Sequence, residues 1–394
     1  MNCSIFGRVV GKYNAFMKIL LVGEYSRLHN SLKEGLIALG HEVTLIATGD
    51  YFKNYPADIK LHRKFETGIW LKVLVSFYKL FGISITSISL KNQFFKHKKE
   101  LVGFDIVQLI NESPFSILPR EEKKIITFLK NNNKKLFLLS CGTDYLSVSY
   151  ALSDAVRYSI LEGYKNETTP KKKYHYILKY ISTPFKELHK FVFSNVNGVI
   201  ASDIDYHLPL KGNSKYTGLI PNPINTDTLK FIEVPHQDKI HIFLGINRGN
   251  YHTKGIHYFE EALSIIQKKY SEKIKIEIVE SLPYAEYIEK YNNAHIILDQ
   301  VLAFDQGYNA LEAMAKGKVV FTGAEKEFEA FYNLKKTVAI NAVPDSKKIA
   351  SALEDLILNP EKITVIGANA REFIEKEHNY KKVAQLYIDC WQKY

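Results

Sequence analysis

The chain has 394 residues, 46% hydrophobic and 24% charged, without a low-complexity block; a disordered or fibrous class is excluded and two compact domains are expected. Three scattered cysteines, Cys3, Cys141 and Cys390, make neither a disulfide framework nor a zinc site, which points to a reducing, cytoplasmic compartment. The formal charge of +11 favours an anionic partner: nucleic acid, membrane surface or a phosphate-bearing small molecule.

Residues 1–16, "MNCSIFGRVVGKYNAF", carry Arg8 and Lys12 and no apolar block of signal-peptide length, so they read as an N-terminal extension rather than an export signal. From Met17 the pattern alternates. "KILLVG" predicts a strand over Lys18–Gly23, "HNSLKEGLIALG" a helix ending at Gly40, and "HEVTLIA" a second strand. That strand, helix, strand order with short loops is the signature of a parallel sheet.

The segment from Ile69 to Lys99 is rich in aromatic and aliphatic residues but is interrupted by Lys72, Lys79 and Lys91. Those lysines exclude a membrane-spanning helix of about 20 apolar residues. Two readings stay open: an interfacial, membrane-surface segment, or a buried helix–strand unit with solvated lysines. Further strands are expected at Phe104–Ile110, Lys135–Gly142 and Asn197–Asp203, with a long basic and aromatic helical stretch from Lys171 to Phe193.

"PNP" at Pro221–Pro223 is a rigid turn, and the interdomain linker is placed there. Beyond it the alternation restarts with "KIHIFLG", "KIKIEIVE", "AHIILDQV" and "KVVFTG" as strands separated by helical patterns. The expected fold is therefore α/β, two Rossmann-like doubly wound domains facing across a cleft. The expected division is 1–16 extension, 17–218 N-terminal acceptor domain, 219–375 C-terminal donor domain, and 376–394 a C-terminal helix packing back on the first domain.

Open α/β sheets bind ligands beyond the carboxyl ends of their strands, which directs attention to the strand-end loops. Gly23 to Arg27 lacks the G-x-G-x-x-G spacing of a dinucleotide fingerprint. The loop "GINRGNYHTKG" holds Arg248 and Lys254 before a helix, two cations suited to a diphosphate; the alternative is a solvated loop. Asp299, Asp305 and Gly307 gather at the next strand end. Glu312 has two readings: a ligand carboxylate, or the far half of a capping box in which Asn309 caps the helix. Asp144 follows Gly142 and Thr143 at a strand end, facing the cleft or capping a helix. Asp203, Asp205 and His207 in "SDIDYH" could hold a divalent ion or simply fill a turn. No P-loop, G-x-S-x-G, H-E-x-x-H or C-x-x-C is present.

"GHEVTLIA", "IPNPINTDTLKF", "GINR…KG", "YNNAHIILDQ" and "GYNALEAMAKGKVVFTG", in this order, resemble a GT-B glycosyltransferase of the retaining family 4 group, which builds bacterial polysaccharides. The resemblance implies that Arg248 and Lys254 grip the donor diphosphate and stabilise the leaving group. It also implies that Glu312 binds the ribose hydroxyls, that Gly307, Tyr308 and Asn309 face the phosphates, and that Asp299, Asp305 and Gly23 line the donor side. Asp144 would lie beside the reacting sugar. The resemblance implies a nucleotide-sugar donor and a glycan or lipid-linked acceptor, with no metal and no cofactor; the positive excess and the segment from Ile69 to Lys99 suit an anionic membrane surface at the inner face, and the spread of basic residues over many helices argues against nucleic acid. Two positions depart from the pattern: Phe304 stands where the family commonly has a Glu eight residues before Glu312, and Cys141 stands where many relatives have His.

Overall fold

A computed structural model describes residues 16–49, 54–64, 68–233, 239–280 and 284–394; the expected extension lies outside these residues except for Phe16. The first sheet comprises β1 (Lys18–Val22), β2 (Glu42–Ala47), β3 (Ile59–Lys60), β4 (Ile106–Leu109), β5 (Lys135–Ser140), β6 (Gly198–Ala201) and β7 (Tyr216–Leu219). Its order is β3-β2-β1-β4-β5-β6-β7, and every pair is parallel. The second comprises β8 (Ile240–Ile246), β9 (Ile274–Glu280), β10 (Ile296–Leu298), β11 (Val319–Thr322) and β12 (Ile340–Asn341), ordered β12-β11-β10-β8-β9 and again parallel.

Near-continuous apolar strands fit a sheet covered on both faces. Along β1, Leu20 and Val22 enter one core while Ile19 and Leu21 enter the other, as the two-residue period requires. The first core is closed by α3 (Ile85–Lys96), α4 (Pro119–Asn132) and the Thr183–Asn195 helix, through Leu90, Phe94, Ile125 and Leu188. The second is closed by α1 (Leu28–Ala38) and by the C-terminal Tyr380–Lys393 helix, whose Val383, Tyr387 and Trp391 pack against Leu28, Leu32 and Leu36. Gly35 permits that return: a Cβ there would lie 2.3 Å from the Tyr380 carbonyl oxygen. The two chain crossings are bonded together, Ile224 N–H to His378 O at 2.7 Å and Tyr380 N–H to Ile224 O at 3.1 Å.

Three differences from the sequence expectations have local causes. Strands β3, β7 and β12 are short edge or near-edge strands without an apolar run, and β7 contains Gly218 at φ 129°. The stretch from Lys171 to Phe193 is not one helix but short turns over Lys171–Ile181 followed by the Thr183–Asn195 helix, because Pro184 sits in the first turn of the latter. The segment after Gly68 forms no strand: α2 (Gly68–Phe81) and α3 meet at 98° about Gly82, whose φ is 64°. Among the described residues no single helix is long and apolar enough to cross a membrane.

Candidate functional site

In the second sheet the strand order reverses between β8 and β10, and the crevice at such a switch point is where open α/β sheets take ligands. Two strand-end loops meet there. The Lys254 ammonium lies 2.8 Å from Asp299 Oδ1, and Asp299 is almost wholly buried, its side chain 1% exposed. Asn309 Nδ2 donates to the same oxygen at 3.2 Å. Gly307 is the N-cap of the Tyr308–Ala315 helix and, being glycine, offers the first amide groups of that helix no side-chain acceptor. A half-buried cation beside a helix start whose cap has no side chain is an anion-binding arrangement.

This geometry overturns the capping-box reading. Asn309 is inside the helix, not at its N-cap, and Glu312 is therefore too far along to reach back to the cap. Glu312 is half-buried one turn beyond Tyr308, and its charge acts on Tyr308 and on Lys316.

Arg248 does not join Lys254. Its guanidinium makes two 2.8 Å bonds to Glu280 at the end of β9, on the other side of β8 from β10. The two cations that look like one grip in sequence thus have separate partners, and Glu280 is the residue whose pairing the sequence did not reveal. Tyr308, expected against the phosphates, turns its hydroxyl away to the first domain, 2.5 Å from Ser31 Oγ and 2.9 Å from Pro223 O. Asp305 is also committed between domains, accepting Ile204 N–H at 3.0 Å and Gln306 N–H at 2.7 Å.

On the first domain, Gly23 ends β1 at φ 88°, where a Cβ would lie 2.4 Å from Ile110. It serves close packing of β1 against the loop after β4. Asp144 caps α5 (Tyr145–Leu152) in a capping box with Ser147, and Ser140 Oγ donates to its other oxygen at 2.8 Å. The structure therefore realises the capping role for Asp144, at the cleft end of β5. Beside it Glu112 Oε1 lies 2.6 Å from His189 Nδ1. Burial, and then the Asp144 charge, raise the Glu112 carboxyl well above its ordinary range, while burial lowers His189. The two shifts run in opposite senses, Glu112 toward its protonated form and His189 toward its neutral form, so burial favours an uncharged pair over an ion pair. Glu112 falls just beyond the strand expected at Phe104–Ile110, but nothing in the sequence points to His189, 77 residues away.

Between the domains is a cavity of about 210 Å³ lined by Thr143, Asp203, Asp205, Gln300, Asp305 and Gln306. Asp203 caps the Ile204–Leu210 helix, and Asp205 accepts the Phe304 and Asp305 amides at 3.1 and 3.2 Å. Burial pushes the Asp205 carboxyl up to about 7 and that of Asp305 up to about 6. These bonds make Asp203 a helix cap within the first domain and Asp205 a joint between domains, and among the described residues no group of three or more His, Cys, Asp or Glu side chains could hold a metal ion. A strap from the first domain closes one side: Arg157 bonds Glu325 and Glu327 at 2.7 Å, Tyr158 donates to Glu325 at 2.5 Å, and Arg157 stacks 4.7 Å over Phe304. No periodicity or motif marks these strap residues in the sequence.

Nearly the whole chain resembles solved structures. Sucrose-phosphate synthase from Thermosynechococcus elongatus aligns with a TM-score of 0.59 at 16% identity, over 96% of this chain and 98% of its own. HepE from Anabaena, in complex with UDP and glucose, aligns at 0.58 with 11% identity over 96% and 100%. The fold is GT-B. A third solved structure, UDP-GlcNAc 2-epimerase from Neisseria meningitidis bound to UDP-GlcNAc, gives 0.50 at 13% identity over 96% and 100%. In sequence, the family described as glycosyl transferase-like matches residues 249–389, a span that contains Lys254, Asp299, Gly307, Glu312 and Glu325. No curated protein matches the chain.

Proposed function

We propose that the protein is a glycosyltransferase that moves a sugar from a nucleotide-sugar donor to a glycan or lipid-linked acceptor, with retention, in bacterial surface polysaccharide assembly. The observation that carries this reading is the Lys254–Asp299–Asn309 arrangement at the β8/β10 switch point, inside the span matched by the glycosyl transferase-like family. The donor diphosphate is assigned to the start of the Tyr308–Ala315 helix, with Lys254 moving from Asp299 to phosphate. Glu312 accepts the ribose hydroxyls. When the anomeric C–O bond breaks, the electron pair stays on the diphosphate, and Lys254 and the helix amides offset that charge. The acceptor oxygen forms the new bond, and its proton leaves with the diphosphate. Arg248 contributes only after exchanging Glu280 for phosphate.

Thermal melting with UDP-, GDP- and ADP-sugars tests the reading. A ligand at 100 times its Kd stabilises the folded state by about 2.7 kcal/mol. One nucleotide class raising the melting temperature in the wild type and not in Lys254→Ala is the expected result. No shift with any of them overturns it.

The buried acids Asp205 and Asp305 in the interdomain cavity favour a second reading, a GT-B sugar-nucleotide epimerase that uses cleft acids for proton or water chemistry. Product analysis of a nucleotide sugar incubated without acceptor separates the two. A changed sugar configuration supports epimerisation, and recovery of the input sugar supports transfer.

A further inference from the structure

Helix α2 stands away from both cores. Trp70, Leu80 and Phe81 are 59%, 77% and 62% exposed, and Leu71, Val73 and Val75 are exposed as well. At 100° per residue these side chains spread over more than half the helix circumference, while Lys72, Ser76 and Lys79, spaced i, i+4, i+7, share the remaining strip. So much apolar surface on one helix requires a covering medium.

Charge narrows what that medium is. Between Glu66 and Glu100 the chain has no acidic residue and six lysines. A second copy of α2 would bring like charges together, whereas an anionic lipid surface complements them. The 14 residues of α2 span about 21 Å, short of the roughly 30 Å hydrocarbon core, so the helix can only lie in the interface.

The anchoring of α2 gives the orientation. On its N-terminal side Arg63 Nη2 donates to the Phe115 and Ser116 carbonyls, at 2.5 and 3.3 Å. On its C-terminal side Ser87 Oγ, in α3, accepts the Leu118 amide at 3.0 Å. Both ties are to the loop after β4, the same sheet edge that carries Glu112 and Asp144. We infer that α2 inserts into the surface of an anionic bilayer and sets the acceptor side of the cleft against it, so that the acceptor is carried in the membrane. The acceptor assignment rests on the transferase reading; the docking itself does not.

The full-length protein reports on itself, because it has two tryptophans and Trp391 is fully buried, which leaves Trp70 as the probe. Phosphatidylcholine vesicles containing phosphatidylglycerol should sediment the protein and shift Trp70 emission to the blue. Phosphatidylcholine alone should do so weakly. The double variant Leu80→Glu with Phe81→Glu should abolish both effects with an unchanged melting temperature, since neither side chain belongs to a core. Lys72→Glu with Lys79→Glu should weaken binding by tenfold or more, on the order of fivefold per lysine. Absence of sedimentation and of the blue shift overturns the inference. So does a stable dimer in solution that Leu80→Glu with Phe81→Glu converts to monomer while vesicles are ignored. The nucleotide-sugar melting shift is read in the same preparations, so loss of docking and loss of donor binding are separate results.

Discussion

Lys254 Nζ and Asp299 Oδ1 stand 2.8 Å apart across the switch point of the second sheet, joining the loop after β8 to the strand end of β10. The Asp299 side chain is 1% exposed and that of Lys254 27%, so the carboxylate is fixed while water still reaches the ammonium. In the proposed reaction a cation held this way is oriented before the donor arrives, and can exchange carboxylate for phosphate without crossing the cleft.

Removing that ammonium should affect both stability and chemistry. Lys254→Ala leaves Asp299 with only neutral partners and should cost about 1–3 kcal/mol, less than a fully buried pair because Lys254 is hydrated. Its kcat/KM should fall by roughly 10²–10³ through lost stabilisation of the leaving diphosphate. Arg248→Ala should leave the melting temperature unchanged and reduce donor turnover only if Arg248 leaves Glu280 in the donor complex. Calorimetry and steady-state kinetics on the two variants separate these roles.

Glu312→Gln tests the ribose assignment. Because the structure contains no capping box at this helix, there is no cap to lose, and the melting temperature should stay near that of the wild type. Donor affinity should fall by roughly 10- to 100-fold, the worth of a hydrogen bond to a charged group. A large fall in stability with intact donor binding would assign Glu312 a structural role.

The acids between the domains predict a pH dependence with a definite sign. Asp205 and Asp305 titrate near 7 and 6 in the folded protein, against an ordinary value of 3.8. Their contribution is fully present below about 3.8 and is lost as pH rises through 6 to 7, because the folded state must give up protons it holds in burial. Buried histidines oppose this: His378 and His29 lie at about 4 and 3 when folded, so they destabilise as pH falls below their ordinary 6.5. Asp205→Asn keeps an oxygen for the Phe304 and Asp305 amides and isolates the acid part. Melting temperatures of the variant minus those of the wild type should rise between pH 4 and 7.5; a flat difference would show Asp205 ionised at no cost.

The strap is testable without kinetics. Arg157→Ala removes the bonds to Glu325 and Glu327 and the stacking on Phe304, while leaving both cores intact. Amide exchange should accelerate over residues 323–331 and 153–160 and stay unchanged in β1 and β8. Uniform acceleration across both sheets would mean that the strap supports global folding.

Gly35→Ala tests the return of the chain. A methyl group there meets the Tyr380 carbonyl oxygen at 2.3 Å, backbone that cannot swing away, and should cost about 1–3 kcal/mol by forcing the C-terminal helix off α1. Chemical denaturation measures the cost directly.

What sequence alone determined is what short-range pattern controls. Alternating apolar runs specified the strands β1, β2, β4, β5 and β6 of the first sheet and β8, β9, β10 and β11 of the second, and the turn at Pro221–Pro223 lies between the two sets. The same local pattern put Lys254, Asp299 and Gly307 at strand ends, the positions where open parallel sheets take ligands, and the structure brings the three together. The tertiary structure decided everything that depended on a distant partner. It paired Arg248 with Glu280, 32 residues on, and it turned Tyr308 toward Ser31, 277 residues away. It moved the helix cap from Asn309 to Gly307, because the β10 end and the interdomain joint at Asp305 set where that helix begins. It also separated two apolar segments that look alike in sequence: α3 fills a core with Leu90 and Phe94, while α2 is left outside. Hydrophobic periodicity tells which side of a helix wants cover; only the packing of the whole chain tells whether the protein itself supplies it.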